Sequence, residues 1–125
     1  MITIDGAALR REWEREARGK LLRLRAHFLA AHGTGGVERL MIESLTSFLV
    51  ILRHLLRLRG EREVHGYAEV LAAGEAALGP LPAMRRLFEH RVGDAPLAAD
   101  AVHVEFGRYL DEVERVVTAL DGLDA

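Results

Sequence analysis

Lys20 is the only lysine among 17 basic side chains, and it falls inside the apolar stripe of a helical pattern, between Trp13 and Leu24, with Glu16 one turn before it. An ammonium in that place has two chemical uses. It can face a ligand, a phosphate above all, with Glu16 holding it, or its stem can pack on the core while its head reaches water beside Glu16. A second group lies in residues 40–59. Ser44 sits within the apolar arc of that stretch, and Ser47 and His54, two turns apart, lie on the arc's edge near Glu43. These are either structural polar residues at a helix junction or the lining of a pocket between helices, with Arg53 and Arg57 alongside. A serine and a histidine suggest hydrolysis, but two residues about 10 Å apart along one helix axis cannot exchange a proton directly. No strained strand-to-helix turn holds a serine either. The chemistry expected is therefore binding, with Glu16, Lys20, Ser47, Arg53, His54 and Arg57 as candidate ligand contacts.

Other chemistries find little to work with. Six histidines are scattered over the chain, with no His-Glu-x-x-His and no i, i+4 histidine pair, so no metal site is expected. His103 and Glu105 have strand spacing in a helical stretch, where their side chains diverge. Gly33–Gly36 lacks the Lys-Ser/Thr of a phosphate loop and precedes no dinucleotide-binding unit, so no cofactor is expected of this chain. Zero cysteines exclude a disulfide framework and fit a reducing compartment, making the cytoplasm the expected location. The N-terminus has no basic region followed by an apolar run, and the longest apolar run, Phe48–Leu52, falls far short of the roughly 20 residues a spanning helix needs. No membrane association is expected. Net charge is −2, yet residues 1–62 carry 12 basic and 7 acidic side chains while residues 63–125 carry 5 and 12. That asymmetry can steer a polyanion to one end or let the two halves attract each other within one fold, and the second is expected. With 16 of the 17 basic residues arginine in an Ala- and Gly-rich composition, the arginines are discounted as a phosphate-binding signal and nucleic acid is not expected as a partner.

The elements that must position these residues follow from apolar periodicity. With 125 residues, half of them hydrophobic, one domain spanning 1–125 with one core is expected. A first helix, capped by Asp5 or Gly6, runs to about residue 31 with Leu9, Trp13, Ala17, Leu21, Leu24 and Phe28 on its stripe. Residues 32–36 read as a flexible glycine break. Residues 40–59 are apolar over more than half the circumference, so this second helix needs neighbours on several sides. A third helix spans residues 67–78, with Gly74 on its apolar face permitting a close crossing. A short fourth begins at Pro82 and reaches about residue 92, and a fifth covers about 97–120 with Val102, Phe106, Tyr109, Leu110, Val113, Val117 and Leu120 inward. Asp111 and Arg115 are placed as an exposed i, i+4 pair. The fold class is all-α, an antiparallel four-helix-type bundle of about five helices, three long and two short, in which the first, second and fifth form the walls.

Two resemblances add expectations. Arg85 and His90 form an Arg-x4-His spacing that resembles the ribonuclease motif of the HEPN helical domains of toxin and antitoxin systems. It implies a dimeric ribonuclease, or its neutralising partner, with Arg85 and His90 converging across an interface. Over more of the chain, residues 14–25 (EREARGKLLRLR) and 44–60 (SLTSFLVILRHLLRLRG) resemble the helical region that follows the catalytic domain in bacterial proteins of the nucleotidyltransferase fold. In those proteins an upstream domain carries a Gly-Ser pair and an Asp-x-Asp metal site, and the helical domain helps shape the substrate cleft. Neither motif occurs here, and Ala17 stands where that family usually shows leucine. The resemblance thus implies a non-catalytic substrate-positioning or docking domain. It would serve a nucleotidyltransferase-fold catalytic domain in cis, as part of a longer product, or in trans. An oligomerising scaffold, such as a homodimer, is the reading that needs no ligand.

Overall fold

The computed structural model describes residues 6–30, 33–61, 64–91 and 102–121. Five helices account for nearly all of them: α1 (Gly6–Ala30), α2 (Gly33–Leu58), α3 (Tyr67–Leu78), α4 (Pro82–Arg91) and α5 (Val102–Asp121). No strand occurs among the described residues. The wide apolar arc of α2 dictates the architecture, because Met41, Leu45, Phe48, Leu49, Ile51, Leu52, Leu55 and Leu56 are all essentially inaccessible to solvent. Covering that arc takes α1, α3, α4 and α5 together, each of which packs on it. Each fully buried side chain of this size contributes about 1.5–3 kcal/mol, so α2 is the largest single source of core energy.

The stops are local. Gly60 and Gly79 adopt φ +100° and +92°, which non-glycine residues resist, and the Gly79 N–H closes α3 by donating to the Glu75 carbonyl at 3.0 Å. Gly74 allows α3 to lie directly on α2, since a Cβ there would sit 2.6 Å from Cδ2 of Leu52. The start of α4 is capped from a distance. Leu81, the residue preceding Pro82, has no side-chain acceptor, and Glu112 of α5 supplies one instead. Its carboxylate accepts the N–H groups of Ala83 at 2.7 Å and Met84 at 2.9 Å.

Several expectations change. Gly33–Gly36 belong to the first turn of α2 rather than to a break, because Val37 in the next position is buried and draws the helix back over its glycines. Arg115 does not engage Asp111; it reaches across to the α3–α4 junction and donates to the carbonyls of Pro80 (2.7 Å) and Leu78 (3.5 Å). Leu9 is 39% exposed, and Trp13, Phe28 and Leu110 are only partly buried. Glu105 and Glu112, unassigned by the apolar pattern, are buried on α5. The proposed cap at Asp5 and residues 97–101 of the fifth helix lie outside the described residues. Two ion pairs join the basic half of the chain to the acidic half: Arg18 pairs with Asp121 at 2.8 Å, and Arg25 with Glu114.

Candidate functional site

Helical periodicity brings Lys20, Arg23 and His27 onto one stripe of α1, and Leu40, Glu43, Ser44, Ser47 and Phe48 onto one stripe of α2. The two stripes face each other across a cleft of about 210 Å³, which Leu24 helps to floor. Lys20 packs its stem into the cleft wall beside Glu16. Its Nζ stands 3.4 Å from Glu16 Oε1, and its side chain is 29% exposed against 50% for Glu16, so the stem lines the cleft and the head remains reachable. Glu16 holds the lysine from outside the cleft wall.

Ser44 closes the bottom of the cleft. Its hydroxyl is 3.0 Å from the Met41 carbonyl and shares a 2.7 Å hydrogen bond with the hydroxyl of Tyr109, which is fully buried on α5. Burial pushes the phenol well above its ordinary pKa, so Tyr109 stays neutral and the pair acts as a rigid polar floor. The two polar exceptions on two apolar arcs satisfy each other. Sequence reasoning singled out Ser44 but placed Tyr109 simply in the core; the available signal was that a buried phenol requires a partner.

His54 lies elsewhere. Its imidazole stacks on the Trp13 indole with ring centroids 3.8 Å apart and planes 25° apart. The two rings, with Leu9, Arg57 and Leu58, line a second and more apolar cavity of about 430 Å³. Burial lowers the His54 pKa, with Arg53 and Arg57 adding to the effect, so the ring is neutral at pH 7. Ser47 and His54, grouped by the sequence as the lining of one pocket, therefore open onto separate cavities. Arg53 is engaged in structure: it donates to the His65 carbonyl at 3.2 Å, with its guanidinium 6.0 Å from the centroid of Tyr67. Arg57 does both jobs, lining the Trp13 cavity and donating to the Val64 carbonyl at 3.4 Å. The pairing of Trp13 with His54 was missed because nothing local links residues on different helices.

Arg85 and His90 are tied to different neighbours. Arg85 grips Glu75 of α3, whose carboxyl it holds below the ordinary range, and the same Glu75 accepts the Leu81 N–H at 3.3 Å. His90 Nε2 is 2.8 Å from Glu38 of α2, and Arg86 pairs with Glu105 of α5 at 2.6 Å. Within one chain these groups bind α4 to its neighbours. Among the described residues no group of three or more His, Cys, Asp or Glu is placed to hold a metal ion. No described helix is long and apolar enough to cross a membrane. No protein-family model matches the chain, and no curated protein or solved structure is significantly similar to it.

Proposed function

We propose that this chain is a helical domain that positions an anionic, phosphate-bearing substrate for a nucleotidyltransferase-fold catalytic domain supplied in cis or in trans. The observation that carries the reading is the α1–α2 cleft, in which Lys20 and Arg23 on α1 oppose the Ser47 hydroxyl on α2, with Glu43 on the same wall as Ser47. The two cations Lys20 and Arg23, with the Ser47 hydroxyl opposite, are complementary to phosphate oxygens and outnumber the single carboxylate of Glu43. The cleft also runs along the seam between residues 14–25 and 44–60, the two segments that carry the family resemblance. Its size suits a phosphate group with part of its attached substrate rather than a whole nucleotide, leaving the remainder to the partner domain. The mechanism is positioning: holding the substrate in a reactive geometry lowers the barrier for a reaction carried out by other groups.

Titration calorimetry with ATP and with inorganic pyrophosphate tests this. Each charge-assisted contact removed costs about 1.5–3 kcal/mol, so Lys20→Ala is expected to weaken binding about 10- to 100-fold and Ser47→Ala by a smaller factor. Binding that ignores both substitutions, or no binding of either probe, would sink the proposal.

A further inference from the structure

The side of α1 away from the cleft carries a second stripe. Arg18, Leu22, Arg25 and Leu29 follow one another at i, i+4, i+7 and i+11, on the opposite flank of the helix from Lys20, Arg23 and His27. The arginines identify what this stripe overlooks. Arg18 pairs with Asp121 and Arg25 with Glu114, both on α5, so α1 and α5 run antiparallel and the stripe borders the groove between them. The leucines between the arginines are bare: Leu22 is 62% and Leu29 85% exposed. Across the groove α5 offers Val104, 59% exposed, and Gly107, where an added Cβ would meet nothing within 4 Å.

We infer that this α1–α5 face packs against a second copy of the chain, about a twofold axis running parallel to the groove. Charge decides the occupant. On this face α1 carries Arg11, Arg15, Arg18 and Arg25, the last two already paired within the chain to Asp121 and Glu114, and α5 carries Asp111, Glu114 and Asp121 with one exposed arginine, Arg108. Rotation about an axis along the groove lays α1 of one copy over α5 of the other. Basic then meets acidic twice over, as an isologous interface requires. The rotation also keeps helix direction, so α1 crosses the partner's α5 antiparallel, as it does its own, and the four helices form a layer-on-layer bundle. Leu22 and Leu29, one heptad apart, become buried knobs. Two helices of 25 and 20 residues, at 1.5 Å per residue and about 10 Å apart, present roughly 600 Å² a side, close to the ~800 Å² of a standard interface. The cleft on the far flank of α1 stays open in such a dimer.

Light scattering and sedimentation equilibrium of the full chain test the assignment. The expected mass is twice the 13.9 kDa of the single chain. Leu22→Glu with Leu29→Glu is expected to weaken association about 100-fold or more and give monomers. Helical circular dichroism should be retained, because both side chains are exposed in the single chain. Arg25→Glu and Glu114→Arg should each weaken the dimer alone, and mixing the two variants should restore it, since at this level two acidic side chains of one copy then meet two basic ones of the other. A wild-type chain that stays monomeric at every soluble concentration would overturn the inference, as would a leucine double variant that dimerises normally. A monomer that loses binding to a nucleotidyltransferase-fold domain on Leu29→Glu would assign the face to that domain and overturn it too.

Discussion

Glu112→Ala removes the acceptor that closes the first turn of α4. The carboxylate of Glu112, itself only 3% exposed, accepts the N–H groups of Ala83 and Met84 in the first turn of α4, and both of those residues are fully buried. Burial raises the carboxyl's pKa, while the Met84 and Ala83 amides and then Arg115 and Arg86 pull it down, so net charge contributes only a remainder. Truncation is governed instead by the amides it strands. A buried N–H without an acceptor costs about 1–3 kcal/mol, so two of them, with some relief from entering water, give about 2–5 kcal/mol. That is a large share of the ~5–15 kcal/mol expected for a domain, and about 3–5 °C per kcal/mol puts the drop in Tm near 10–20 °C. Glu112→Gln keeps the shape and one acceptor and should lose less than half as much. Urea denaturation followed by circular dichroism gives the totals, and hydrogen exchange at the Ala83 and Met84 amides shows whether α4 opens first. The sign of the pH dependence is fixed by the raised pKa. The folded state holds the Glu112 proton more tightly than the unfolded chain, so the advantage of wild type over Glu112→Ala is full below 4.5 and shrinks as pH rises through the raised value. A Glu112→Ala variant within about 0.5 kcal/mol of wild type at low pH would refute the reasoning, since it would mean the amides find other partners.

Gly74→Ala drives a methyl into Leu52, which is fully buried and has little freedom to move; overpacking of about 1–3 kcal/mol outweighs the roughly 1 kcal/mol gained in helix propensity. A net loss in urea denaturation is expected, and a stabilised variant would show that Leu52 yields at the α2–α3 crossing. Trp13 is the sole tryptophan and is stacked on His54, so its fluorescence reports that imidazole's protonation. Quenching should set in with a midpoint below 6.5 and disappear in His54→Phe; a midpoint at or above 6.5 would contradict the burial of the ring. Because the His54 pKa is depressed, its contribution to stability is full above 6.5 and is lost as pH falls through the folded value.

Much of the bundle was legible because its signals are local. Gly66 and Gly79 bracket α3, Pro82 opens α4, and the breadth of the apolar arc on α2 announced a central helix. Gly33–Gly36 misled because a glycine run normally breaks a helix, and only the buried Val37 beyond it explains why this one does not. The site was legible residue by residue but not as an assembly. Lys20, Ser44 and Ser47 stood out as polar exceptions on apolar arcs, and they do share a cleft. His54 looked like their neighbour because it lies on the same helix, yet two turns of rise carry it to another cavity beside Trp13. Glu112 offered no warning, since a cap supplied by a residue 28 positions away leaves no trace in spacing.

The seam between α1 and α5 bears on how the chain reaches this structure. Arg18 and Asp121 are 103 residues apart and Arg25 and Glu114 are 89 apart, while Phe28 stacks on Phe106 with ring centroids 4.1 Å apart. Helical bundles usually fold fast because their contacts are local, but this seam joins the first helix to the last and must close nearly the whole chain before it yields any energy. Docking of α1 onto α5 is thus expected to follow the transition state, after α2 has gathered α3 and α4. In stopped-flow experiments Phe28→Ala should speed unfolding and leave refolding almost unchanged, whereas Leu52→Ala should slow refolding. A Phe28→Ala chain that refolds as slowly as Leu52→Ala would instead put the two termini together at the start.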